Sequence, residues 1–151
     1  TMNETLHKIL KGQAGMAVHT LSKDLEALGD KVAQSPAPGA RSAADIVWEV
    51  ALNNRRGAKR MRGEEPGEPV GFPPCPPEMA NSGALAKELK ESVDELLAAV
   101  GDDPLRIVEY PGGQEPALSY AQFLVIHMMY HLGQLNYIQV LFGDHEVHWS
   151  D

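Results

Sequence analysis

Apolar residues recur along this chain at spacings of three and four, in four separate blocks. In the first, Leu6, Ile9, Leu10, Met16, Val18, Leu21, Leu25 and Leu28 keep the period of an amphipathic helix, predicted over residues 4–28 and ended by Gly29-Asp30. After the linker Ser35-Pro36-Ala37-Pro38-Gly39, Ser42 can serve as an N-cap. Asp45 three residues on resembles a capping box, so a second helix is predicted over 43–62. Leu85, Leu89, Val93, Leu96, Leu97 and Val100 define a third over 83–100, with Ser82 as cap and Gly101 closing it. The fourth, over 120–141, starts after Ser119 and stops at Gly143.

Between these blocks the pattern changes. Residues 64–79 hold six prolines, which exclude a helix and disfavour a central strand. So long a connection is either functional or a crossover between distant helix ends. Leu105 to Tyr110 is rich in β-branched residues and predicts a short strand; Pro111-Gly112-Gly113 predicts a turn, and 115–118 can return as a partner strand. The tail, 144–151, is polar and predicted to be irregular. Four amphipathic helices with one long connection predict an all-α four-helix bundle, a single domain over 1–151.

Composition narrows the function classes. The chain has 151 residues, 43% hydrophobic and 23% charged, enough for one domain with its own core. The formal net charge of −8 disfavours broad capture of nucleic acid or of an anionic membrane. No apolar run reaches the roughly 18 residues of a membrane span. The opening Thr1-Met2-Asn3-Glu4 lacks a signal-peptide pattern, and Thr1 before Met2 resembles the remnant of a cleaved tag. The one cysteine, Cys75, excludes an intrachain disulfide and a multi-cysteine zinc site, and a cytoplasmic location is expected. Arg55, Arg56, Lys59, Arg60 and Arg62 form a basic cluster, either a solvated helix face or a subset facing a small anion.

The sharpest chemical signal is His127-Met128-Met129-Tyr130-His131-Leu132-Gly133-Gln134. Residues four apart stack on one helix face, so two imidazoles at this spacing can chelate one ion. Phe123, His127, Tyr130, His131, Gln134 and Ile138 share a stripe whose apolar ends suggest partial burial; buried imidazoles need partners or a metal. On the second helix, Glu49, Asn53, Arg56 and Arg60 share another stripe, and Glu49 sits among Ile46, Val47, Trp48, Val50 and Leu52. Such a carboxylate either faces a cation, pairs with an arginine or lies at a solvated edge. Asn53 and Gln134 are candidates for supporting ligands rather than ligating. His7, His19, His145 and His148 read as peripheral, Met128 and Met129 as core.

Ser42-Ala43-Ala44-Asp45-Ile46-Val47-Trp48-Glu49-Val50 and His127 through Leu135, an HxxxHxGQ block, resemble the DinB/YfiT-like metalloenzyme family across nearly the whole chain. The resemblance implies a four-helix bundle with an unusual connection. It implies a metal, typically zinc or nickel, held by one histidine of the second helix and two of the fourth. The fourth-helix ligands map to His127 and His131. The second-helix histidine maps to Glu49, a departure that leaves either a two-histidine, one-carboxylate site, also suited to manganese or ferrous iron, or a degenerate one.

The resemblance further implies use of a low-molecular-weight thiol, with Arg56 and Arg60 available to bind the carboxylates of that cofactor. A small-molecule substrate and a homodimer follow from the same likeness. The first expectation is a metal-dependent thiol S-transferase. The alternatives are a metal-assisted hydrolase, or a non-catalytic stress-related binding protein with a structural or degenerate site. No catalytic acid or base stands out in the sequence.

Overall fold

A computed structural model describes residues 1–149 of the chain; Ser150 and Asp151, the end of the expected tail, lie outside the described residues. The four helices are α1 (Met2–Leu28), α2 (Ala43–Met61), α3 (Ser82–Val100) and α4 (Ala117–Leu141), with an antiparallel strand pair, β1 (Ile107–Tyr110) and β2 (Gly113–Pro116), just before α4. Short 3-10 turns follow α1 and precede α3. Among the described residues, no helix is long and apolar enough to cross a membrane.

Several helix starts differ from the sequence expectation for identifiable reasons. Asn81, not Ser82, caps α3: its Oδ1 accepts from the Ala84 N–H. The Ser82 hydroxyl instead donates to the carbonyls of Leu25 and Gly29, satisfying the exposed end of α1. Ser42 does cap α2, accepting from the Asp45 N–H at 3.1 Å, but the Asp45 carboxylate turns outward to accept from the Cys75 N–H. Ser119 lies inside α4, whose N-cap is Pro116, and its side chain caps nothing among the described residues. Helix α4 begins at Ala117, because the Ala117 and Leu118 N–H groups donate to the carbonyls of Arg106 and Pro104. The strand segment thus caps the helix that follows it. The hairpin pairs Tyr110 with Gly113, so the turn is Pro111-Gly112, with Gly112 at φ 96°, where a side chain would be strained.

Ion pairs fix the helix directions. Arg55 meets Glu88 at 2.8 Å and Arg62 meets Glu95 at 3.1 Å, so α2 and α3 run parallel. Ser82 reaches Leu25 while Asn3 reaches the Asp102 carbonyl, so α1 and α3 are antiparallel. Gln13 pairs with Gln122 and Lys31 lies over the Phe142 ring, so α1 and α4 are parallel. Around the bundle the order is α1, α3, α2, α4, with α1 and α2 on a diagonal. Two parallel helices adjacent in sequence need a return path along the bundle, and the proline-rich segment is that path. Two of the five residues of the basic cluster are engaged here: Arg55 also bonds Glu95, and Arg62 also bonds Glu64.

The core is built from the predicted stripes, including Leu10, Leu21, Leu25, Val47, Val50, Leu85, Leu89, Leu96, Met128 and Leu135. Ile9, Met16 and Met129, expected inside, are exposed: they rim an apolar groove between α1 and α4. Phe123 and Tyr130 are also exposed, so the stripe of α4 that carries the histidines is open at its N-terminal end and buried at His131 and Ile138. Gly57 brings α2 against α4. A Cβ there would come within 2.3 Å of Leu124 Cδ1, and this close approach sets the two helices that carry Glu49 and the histidine pair.

Candidate metal centre

Helix α4 presents His127 and His131 one turn apart toward α2, and α2 presents Glu49 toward them. The two Nε2 atoms lie 3.0 Å apart. Glu49 Oε1 is 3.6 Å from His127 Nε2 and 3.5 Å from His131 Nε2. Three atoms that can carry lone pairs therefore converge from two helices. Ligands bound at about 2.1 Å to one ion stand about 3.0 Å apart at a right angle and about 3.4 Å apart at a tetrahedral one. The observed separations run from 3.0 to 3.6 Å, the longest corresponding to an angle of about 120° at that bond length, so the donor set fits a divalent ion.

Neighbouring side chains orient each donor. His131, 4% exposed, donates from Nδ1 to Gln134 Oε1 at 2.6 Å, which leaves its Nε2 as a lone pair. His127 then donates Nε2–H to His131, and its own buried Nδ1 has no partner among the described residues. Burial holds His127 below the ordinary imidazole range. His131 pushes the same way and Glu49 pulls against both, so the neutral form is favoured; ligation through Nε2 would move its proton to Nδ1, which has no partner among the described residues. Glu49 gives its second oxygen, Oε2, to Arg41 Nη1 at 2.5 Å, and Arg41 Nη2 donates to the Asp45 carbonyl at 3.1 Å. The arginine pairing and the convergence on the histidines, alternatives in the sequence, thus coexist on the two oxygens of one carboxylate.

Arg41 is the residue that sequence reasoning missed. It stands in the linker just before the Ser42 cap, where its side chain can fold back along the first turns of α2. The expected arginines lie elsewhere. Arg56 donates to the carbonyls of Gly67 and Glu68 in the crossover, and Arg60 lies 3.4 Å from the Tyr120 hydroxyl. Their cleft, beside Glu64, Glu65 and Glu109, is about 10 to 16 Å of helix rise beyond Glu49. Among the described residues, the Asn53 side chain bonds only the backbone carbonyl of Glu49. His148 pairs with Asp144 at 2.7 Å, and His19 is exposed. Burial, with Asp45 and Glu78 nearby, pushes the Cys75 thiol up to about 11, so it is no nucleophile at neutral pH.

A helical bundle with two parallel middle helices and an inward-facing Glu-His-His group defines a class of bundle with a potential metal centre between α2 and α4. Residues 16–135 match the model of the DinB superfamily, and the chain belongs to that family. A crystal structure of a DinB-like protein from Bacillus cereus ATCC 10987 superposes with a TM-score of 0.69 at 18% identity, over 89% of this chain and 91% of that one; this likeness is one of fold. No curated protein matches the sequence.

Proposed function

We propose that this protein is a metal-dependent enzyme that joins a low-molecular-weight thiol to an electrophilic small molecule. The observation that carries the reading is the convergence of Glu49 Oε1 with the two Nε2 atoms, with no fourth His, Cys, Asp or Glu in the group among the described residues. Three protein ligands leave coordination positions open, as catalytic sites do and closed structural sites do not. A divalent ion held there would favour thiolate over thiol at neutral pH. Arg41 holds one oxygen of Glu49, so the carboxylate offers the ion a single atom. In the transfer itself, the sulfur forms a bond to carbon, the leaving group departs with the bonding electrons, and the thiol proton passes to solvent. Metal-assisted hydrolysis is supported less, because it needs a further base beside the ion.

The test is a rate assay. Zinc- or nickel-loaded protein should accelerate the reaction of chlorodinitrobenzene with at least one of cysteine, glutathione and coenzyme A, and chelation should abolish the gain. Tight metal with no acceleration for any of the three thiols would favour the non-catalytic binding reading.

The pairing expected from the family is proposed as well, through the exposed Ile9, Met16, Ile126 and Met129 around a groove of about 820 Å³. Sedimentation at micromolar concentration should give the mass of two chains. A monomer that persists up to 100 µM, on the order of a weak-contact limit, would discard it.

A further inference from the structure

We propose that the cleft beside Arg41 seats a ligand with a carboxylate head and an apolar body, and that the Arg41 guanidinium takes the head. This deepens the reading above and rests on it for the chemistry, but not for the binding.

The cleft, about 380 Å³, opens between the linker, α2 and α4. That volume suits a small molecule. Two of its polar side chains, Arg41 and Gln134, each hydrogen-bond a member of the metal-capable group: Arg41 bonds Glu49, and Gln134 bonds His131. A ligand seated there is one side chain from the ion position. The rest of the wall is largely apolar, with Ile46, Tyr137, Ile138 and Leu141.

Arg41 has capacity to spare. A guanidinium carries five N–H donors, and among the described residues only one on Nη1 and one on Nη2 are engaged, with Glu49 and the Asp45 carbonyl. The Phe72 ring of the crossover lies 4.7 Å from its carbon and steadies the plane. A planar fork with free donors matches a carboxylate. Gln134 adds its Nε2 amide, which donates to no protein group among the described residues.

Two other clefts fit such a ligand worse. The α1–α4 groove touches none of the three converging residues. The cleft at Arg56 and Arg60 carries Glu64, Glu65 and Glu109, which repel an anion.

Gly133 supplies a clean test, because it lines the cleft and a Cβ added there meets nothing within 4 Å. Gly133→Leu should fill the cleft without straining the helix. Butyrate, hexanoate and octanoate would be titrated calorimetrically into the full chain, once zinc-loaded and once stripped by chelator. Affinity should rise about two- to fourfold per methylene, and fall at least tenfold in Gly133→Leu and in Arg41→Gln in both metal states. Hexanoate should shift the Gly133 amide resonance and leave that of Gly12, in the α1–α4 groove, in place.

Wild-type affinity in Gly133→Leu, or shifts at Gly12 instead, would overturn the proposal, and so would binding that ignores chain length. Arg41→Gln need not fold for the test to stand, since Gly133→Leu reads the same cleft. Hexanoate bound in the cleft of a chain that takes up no zinc would sink the metal-enzyme reading and spare this one.

Discussion

Glu49 and Asp24 are both carboxylates withdrawn from water, 6% and 0% exposed, on two helices that flank α4. Glu49 is met by Arg41 on one oxygen and faces two imidazoles with the other. Asp24 has no hydrogen-bond partner for either oxygen among the described residues. Its field comes from farther groups: burial raises its pKa to about 6, His148 pulls it down and Asp144 pushes it up. Burial is common to both, and convergence belongs to one. A buried charge with directed partners marks a site, whereas one without them marks a cost that the rest of the fold carries.

The largest effect should come from metal binding. Replacing Glu49 or His131 with Ala should weaken zinc or nickel, measured by chelator competition, on the order of a hundredfold or more. Asp24→Ala should leave it unchanged. Metal retained in Glu49→Ala would reduce the site to its histidine pair, and metal lost in Asp24→Ala would erase the distinction between the two carboxylates.

A smaller effect concerns stability and its dependence on pH. The folded chain keeps an Asp24 proton that the unfolded chain releases near 3.8. Stability should therefore fall as pH rises from about 4 to about 6 and be flat above that window. Asp24→Asn should remove this slope and be more stable than wild type at pH 8, by on the order of 1–3 kcal/mol in urea unfolding. Glu49→Gln, which strips Arg41 of its ionised partner, should change metal-free stability in the opposite direction, by about 1 kcal/mol. The same sign in both variants, or a slope that survives Asp24→Asn, would show that the two carboxylates are held alike.

The bundle and the three converging side chains were legible in the sequence because their signals are local. The spacing of His127 and His131 follows from helix geometry, and Glu49 stood out as a charge among Ile46, Val47 and Val50. The prolines of 64–79 marked a long non-helical connection, leaving open whether it was functional or a crossover. What depended on packing between distant segments was not legible. Arg41 reaches Glu49 from a linker with no periodic pattern. Arg56 and Arg60 share a stripe with Glu49, but a stripe does not say what covers it, and here the crossover covers Arg56. Asp24 did leave a trace. It falls at helical spacing within the buried series Leu10, Ala14, Ala17, Leu21 and Leu28, yet a single acid in an apolar stripe is easily taken for an edge.

The parallel arrangement of α2 and α3 also bears on how the chain reaches its native state. Helices joined by a tight turn can zip together from the turn outward, each contact closing a short loop. Here Arg55 must find Glu88 and Arg62 must find Glu95, and Glu49 must find a helix laid down after both. Each search closes a long stretch of chain before any contact rewards it. This bundle is helical in content but non-local in its wiring, and its folding should be slower than that of an up-and-down bundle of equal length.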